Sequence, residues 1–236
     1  MFSRRAHYKS HALSFLPLSI IVVLVLLALT LTAQSAAAAS PHVDRMVLNG
    51  EINPASLRFL TKTVSIAEHD GARALVIEID TPGGDLNSLK AMTQLELSST
   101  VPIISYVSPS GERAASAGAF VALAAQVAAM APTTRIGASS PVTITGGDIG
   151  STLKSKIEND LVASMTGIQN RYGRNVGLAV KMVTDAASYD DTTAVSQHIV
   201  DVGATNLQDL LTKVNGRSVK LNAGNNVTLQ TTGVTV

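Results

Sequence analysis

The sequence predicts an α/β domain with a largely parallel sheet flanked by helices. Three observations carry this expectation. Apolar, β-branched runs alternate with helix-patterned segments from residue 45 to residue 130, and turn residues separate them at short intervals. Residues 74–79 (Ala-Leu-Val-Ile-Glu-Ile) are apolar almost throughout. A strand of that kind is buried on both faces, the condition of a parallel sheet covered by crossover helices. Ligand sites in such sheets lie beyond the carboxyl ends of the strands.

In chain order, Arg45 to Leu48 reads as a short strand ending at Asn49-Gly50. Asn53 caps a helix with Pro54 at its first position, a stripe of Leu57, Leu60, Val64 and Ala67, and Gly71 as its stop. The strand at 74–79 runs into Asp80-Thr81-Pro82-Gly83-Gly84-Asp85. Pro-Gly there is a turn signal, and the glycine pair also offers backbone N–H groups with no side chain in the way. A helix over 86–99, a strand over 103–107, an alanine-rich helix over 117–125, a strand over 127–130 and an apolar segment around Ile136 follow. Residues 143–150 have the composition of a flap over the site. A long helix runs from Lys154 to about Tyr172, with Ile157, Leu161, Met165 and Ile168 on its inner stripe. Asn206 to Val214 forms a last helix, and 217–236 reads as two strands around Asn222-Ala223-Gly224-Asn225-Asn226.

The start of the chain bears on its destination. Arg4, Arg5 and Lys9 precede an almost wholly apolar run from Leu13 to Leu31, followed by Ala33-Gln34-Ser35-Ala36-Ala37-Ala38-Ala39-Ser40 with several A-x-A sites. This is a secretory signal or, since the run is long enough to span a bilayer, an uncleaved anchor. In both cases the basic flank stays inside and the domain is exported. Ser3-Arg4-Arg5 resembles a twin-arginine signal, although so apolar a segment fits the general export route better. The expected division is a leader over 1–39, a main domain over 40–215 and a β tail over 216–236.

The chain holds 18 Lys plus Arg against 17 Asp plus Glu, and three of the basic residues lie in the leader, so the exported domain is near neutral. That balance, with few aromatics and no tryptophan, argues against a nucleic-acid surface. Without cysteine there are no disulfide staples, and an ordinary hydrophobic core must hold the domain. No histidine or carboxylate cluster has metal-ligand spacing along the sequence, and neither metal nor other cofactor is expected.

Chemistry centres on Gly111 to Gly118 (Gly-Glu-Arg-Ala-Ala-Ser-Ala-Gly), which puts Ser116 at a strand-to-helix turn. The unpaired amides and partial positive charge of a helix's first turn stabilise an oxyanion, and small neighbours let a substrate backbone approach. Ala114-x-Ser116-x-Gly118 is a relaxed nucleophile elbow, a pattern that tight helix–sheet packing also produces. A serine hydroxyl needs a base. No histidine lies between Ser116 and His198, His69 ends an amphipathic helix and His42 adjoins the leader, so a Ser-His-Asp triad is not expected. Lys154 and Lys156 remain, at the mouth of the long helix. A lysine serves as a base only when desolvation leaves it neutral, and the commoner role of a first-turn lysine is a solvated one. Two apart, the pair faces opposite sides of the helix.

Several motifs occur in order: Val76-Ile77-Glu78-Ile79-Asp80-Thr81-Pro82-Gly83-Gly84, Gly111 to Gly118, Ala129-Met130-Ala131-Pro132-Thr133, Ile136-Gly137-Ala138, Pro141-Val142 and Lys156-Ile157-Glu158-Asn159-Asp160. Together they closely resemble the NfeD family of membrane-associated, ClpP-class serine proteases, over about residues 43 to 235. The resemblance implies a ClpP/crotonase-like fold of repeated β-β-α units. It implies Ser116 as nucleophile and Lys156 as general base, with the amides of Gly84 and Ala117 as oxyanion hole and Gly83 at the substrate. Helical phase puts Lys154 in line with Ile157 and Leu161, which leaves Lys156 to the site. The implied substrate is a hydrophobic peptide segment, such as the C-terminal region of a stomatin-like membrane protein, and the implied unit a homodimer.

Two departures stand out. The sequence ends at Val236 without the transmembrane bundle and small β-barrel of longer members. His198 stands where glycine commonly precedes Ile199-Val200-Asp201, although histidine tolerates a left-handed backbone better than most residues. Two other readings share the fold: a signal-peptide peptidase of the SppA type, against which the single short domain argues, and a non-catalytic scaffold holding a hydrophobic peptide. A crotonase-like acyl-CoA enzyme has no need of a nucleophilic serine with a lysine.

Overall fold

The computed structural model describes residues 40–142, 150–222 and 224–236. The leader and residues 143–149 of the expected flap lie outside the described residues, among which no helix is long and apolar enough to cross a membrane. The chain lays down β1 (Asp44–Asn49), α1 (Pro54–Asp70), β2 (Leu75–Asp80), α2 (Leu86–Ser98), β3 (Ile103–Val107), β4 (Arg113–Ala115) and α3 (Ala117–Ala124). Next come β5 (Val127–Met130), β6 (Arg135–Gly137), α4 (Ser151–Tyr172), α5 (Val176–Thr184), β7 (Ser188–Asp190) and α6 (Asp191–Ser196). It closes with β8 (Val202–Gly203), α7 (Leu207–Val214) and an antiparallel hairpin of β9 (Ser218–Lys220) and β10 (Asn226–Thr228).

The main sheet has the order β1-β2-β3-β5-β8, every neighbouring pair parallel. Both of its faces are buried. Met46, Leu48, Leu75, Ile77, Ile79 and Ile103 pack with α1, α2, α3 and α4. Val76, Ile104, Tyr106, Val127 and Ala129 point the other way, onto Leu210, Leu211 and Val214 of α7 and Val219 of the hairpin. The two-residue period of a strand, filled with apolar residues in both phases, is what makes this double burial possible.

The first four strands of this sheet each continue into a short extended segment and then a helix. Ile52 lies between β1 and α1, Gly84 between β2 and α2, β4 between β3 and α3, and β6 between β5 and α4. These extended segments run side by side. Ile52 bridges Gly84, Thr81 bridges Ala114, β4 pairs in parallel with β6, and β6 pairs antiparallel with β7. The result is the repeated β-β-α plan, and it delivers the starts of α2 and α3 to one edge.

Local signals set the helix limits. The Asn53 side chain accepts from the amides of Ala55 and Ser56, Ser56 Oγ accepts from Asn53 N–H, and Pro54 opens α1. Gly71 stops it in the left-handed region at φ 74°. The long helix starts at Ser151, one turn before the expected Lys154. His198 does take the left-handed conformation, φ 55°, exposed just after α6.

Two buried ionisable groups differ in how they are satisfied. The fully buried Arg174 side chain donates to the carbonyls of Leu123 at 2.7 Å and Ala125 at 2.9 Å, the C-terminal end of α3, and pairs with Asp201 at 2.7 Å. Asp201 also accepts from Arg217 at 2.9 Å and from the Ala128 amide at 2.8 Å. Glu96 on α2 is equally buried, but among the described residues both of its carboxyl oxygens lack a partner, and burial pushes its pKa well above the ordinary value.

Asp201→Ala strands the Arg174 charge in the core and is expected to lower stability by about 3–5 kcal/mol, read from urea denaturation. The pH dependence of stability tests Glu96. At pH below its ordinary pKa of 4.5 the group is protonated whether the chain is folded or not. Above that, the unfolded chain loses the proton and the folded chain keeps it, so stability falls as pH rises towards the raised folded-state value. Glu96→Gln removes that loss, and its urea midpoint should gain on the parent's as pH rises from 4.5 towards the raised folded-state value.

Candidate active site

Ser116 sits between β4 and α3 as the N-cap residue of the helix, with φ 53° and ψ −122°. That region is unfavourable for a residue with a Cβ, and such a conformation is stored at a cost of order 1–3 kcal/mol. The backbone around it is pinned from three sides. Ser116 N–H donates to Gly137 O at 2.9 Å, while Ser116 O accepts from Ala119 N–H at 3.1 Å and from Ser139 Oγ–H at 3.0 Å. The strand-to-helix elbow expected from the sequence is therefore present, built on a three-residue strand.

The Pro82-Gly83-Gly84 turn leads straight into an extended pairing with Ile52. Ile52 N–H donates to Gly83 O at 2.8 Å, Asp85 N–H donates to Ile52 O at 2.9 Å, and Gly83 N–H donates to Thr81 Oγ1 at 3.0 Å. At Gly84 an added Cβ would lie 1.8 Å from Ile52 O, and at Gly83, φ 105°, one would lie 2.5 Å from Ser116 Cβ. Both glycines are demanded by crowding, Gly84 from the Ile52 backbone and Gly83 from the Ser116 side chain. Among the described residues, neither Gly84 N–H nor Ala117 N–H, the first amide of α3, has an acceptor. Gly118 answers to a different pressure, since a Cβ there would lie 2.2 Å from Thr81 Cγ2. Its smallness serves packing against Thr81, the tight packing that the sequence pattern also allowed.

A cavity of about 670 Å³ opens beside Ser116, Ala117, Gly83 and Gly84. Its walls are mainly apolar, from Leu86 and Leu89 of α2, Phe120 of α3, and Ile157 and Leu161 of α4. Glu51, Asn53 and Asp85 supply polar groups. The Asp85 carboxylate caps α2 by accepting from Ser88 N–H at 2.8 Å. Burial pushes its pKa up, but the hydrogen bonds from Ser88 and Asn87 outweigh burial and leave it below the ordinary value.

Four of the residues singled out in the sequence thus meet, namely Ser116, Ala117, Gly83 and Gly84. Lys156 does not join them in the cavity wall. It is exposed on the second turn of α4, one residue before the wall residue Ile157, and Lys154 is exposed too. Sequence reasoning missed Ile52, Gly137 and Ser139, which hold the glycine loop and the serine backbone. Ile136-Gly137-Ala138 was a motif, but its left-handed residues, φ 132° and 51°, leave no mark in a linear pattern.

The model of the NfeD1b N-terminal domain matches residues 42–217. Membrane-bound protease PH1510 of Pyrococcus horikoshii is 35% identical over 192 residues, which is 80% of this chain and 43% of that protein. The chain thus spans less than half the length of that curated relative. Among solved structures, the 1510-N membrane-bound stomatin-specific protease, from the same organism, is similar in two forms. The serine-to-alanine mutant matches with a TM-score of 0.78 and 34% identity, over 84% of this chain and 97% of the other. The lysine-to-alanine mutant in complex with a substrate peptide matches with a TM-score of 0.78 and 33% identity, over 84% and 92%. ClpP1 from Listeria monocytogenes, at 19% identity and a TM-score of 0.56 over 70% of this chain and 94% of the other, shares the fold. The chain belongs to the NfeD family, through an NfeD1b N-terminal domain with the ClpP-like α/β fold.

Proposed function

We propose that this chain is a membrane-associated serine endopeptidase that cleaves hydrophobic peptide segments with a Ser116–Lys156 dyad. One observation carries the reading: Ser116 is held in a strained elbow beside two amides that have no acceptor among the described residues, at the edge of a large apolar cavity. Ser116 Oγ attacks the peptide carbonyl while Lys156, exposed in the free chain, takes its proton once the bound peptide has desolvated its amine. The N–H groups of Gly84 and Ala117 receive the oxyanion, and Gly83 borders the substrate. Lys156 returns the proton to the leaving amine, and water then releases the acyl group from the serine. Lys156 is carried on the same turn of α4 as the wall residue Ile157.

The apolar walls suit a hydrophobic segment. The similarity to a protease described as stomatin-specific supports a stomatin-like membrane protein as the partner in the reaction, and the same reading takes the working unit as a homodimer. The leader-like start supports an exported domain held at the outer face of the membrane.

The test is hydrolysis of a panel of hydrophobic peptides by the full chain in detergent. Ser116→Ala should fall to the uncatalysed rate with an unchanged thermal midpoint; equal turnover in the variant would sink the serine mechanism. Binding without turnover in both proteins would identify a scaffold. Lys156→Ala is expected to lower kcat by about 10²–10⁴-fold, with Lys154→Ala close to the parent. The opposite ranking would make Lys154 the base.

A further inference from the structure

The geometry points to a zinc-binding site formed by His42, Asp44 and Asp70 at the amino-terminal end of the sheet, across the domain from Ser116. Asp44 opens β1, Asp70 ends α1, and His42 stands just before β1, where it bridges Thr235 of the tail. One ligand atom from each of the three lies within 4.8 Å of the others.

The spacing suits a shared cation better than direct pairing. His42 Nε2 lies 3.4 Å from Asp70 Oδ1 and 3.7 Å from Asp44 Oδ1. A charge-assisted hydrogen bond from an imidazolium to a carboxylate would measure about 2.7–2.9 Å. Ligands on a tetrahedral ion with bonds of about 2.05 Å stand about 3.3–3.4 Å apart. The far side of the ring is also fixed from outside the cluster. His42 Nδ1 lies 3.1 Å from the Ser40 carbonyl, and an N–H donated there leaves the Nε2 lone pair facing the two carboxylates. Asp44 Oδ2 is buried and, among the described residues, has no partner.

The frame is rigid as well, because Asp44 N–H donates to Ala74 O at 3.0 Å and Arg73 N–H donates to His42 O at 2.8 Å. One imidazole nitrogen with two carboxylate oxygens is a donor set that zinc accepts. The side chains are 21%, 23% and 40% exposed, which leaves room for water at a fourth position. The lack of metal-ligand spacing along the sequence does not bear on this site, since Asp70 reaches it only through the fold. A bound ion would cross-link the segment entering the domain to α1 and β1, a structural role independent of Ser116.

Isothermal titration of the EDTA-stripped full chain in detergent with zinc chloride tests it. One equivalent should bind with a micromolar or lower Kd, and zinc at 100 times Kd should raise the thermal midpoint by about 5–10 °C. At that same zinc concentration, His42→Ala and Asp70→Asn should each weaken binding at least tenfold and cut the thermal shift to about half or less, while His69→Ala and Ser116→Ala leave both unchanged. If His42→Ala proves unfolded, the more exposed Asp70→Asn decides the question alone. No saturable binding in the parent, or equal affinity in parent and Asp70→Asn, overturns the site and marks any bound zinc as adventitious.

Discussion

Two close contacts govern the candidate site: Gly84 against the Ile52 backbone, and Gly83 against the Ser116 side chain. Neither leaves room for a Cβ, so the loop after β2 lies flush between its neighbours and its amides are aimed by the register of the pairing. A one-residue slip there would turn Gly84 N–H to the opposite side of the extended segment. The fold supplies the means to prevent it, because the extended segments between strands and helices form a second layer tied to the ends of the main sheet.

The serine's conformation is unfavourable by an amount comparable to what holds it. A strained φ of this kind costs about 1–3 kcal/mol. The three hydrogen bonds to the Ser116 backbone contribute about 1 kcal/mol each, enough to offset it without a large surplus. The elbow therefore persists only while β4 and β6 remain paired and Ser139 stays in place. Burial of α3, whose residues are all inaccessible, adds the remaining constraint.

Much of this was legible in the residues. Strands filled with apolar side chains in both phases announced a sheet covered on both faces, Asn53 with Pro54 and Gly71 bounded α1, and His198 took the left-handed turn its position demanded. What could not be read were pieces too short to show a period. β4, β6 and β7 have three residues each and α6 has six, and their order comes from pairing with distant segments. Tight packing at Gly118 was one reading of the pattern, but its partner was hidden, because Thr81 lies far back in the chain. Helical phase set Lys154 in line with Ile157 and Leu161 as a core stripe, but those two residues line the cavity, so phase does not by itself keep Lys154 away from the site.

Arg174 has a consequence beyond holding two helices and a strand together. At about 1.5 Å per residue, α3 is only about 12 Å long, so its negative pole lies near enough to Ser116 to weaken the field of the positive one. The guanidinium rests on the Leu123 and Ala125 carbonyls that make up that pole, and Arg174, Arg217 and Asp201 together carry one net positive charge. A unit charge at about 12 Å, with an effective dielectric of about 20, is worth about 1.4 kcal/mol to an anion, or about tenfold in a rate limited by that anion's formation. Partial exposure of Arg217 reduces the figure without changing its sign. A group with no contact to the cavity thus biases its potential, and the electrostatics of the serine begin at the opposite end of its helix.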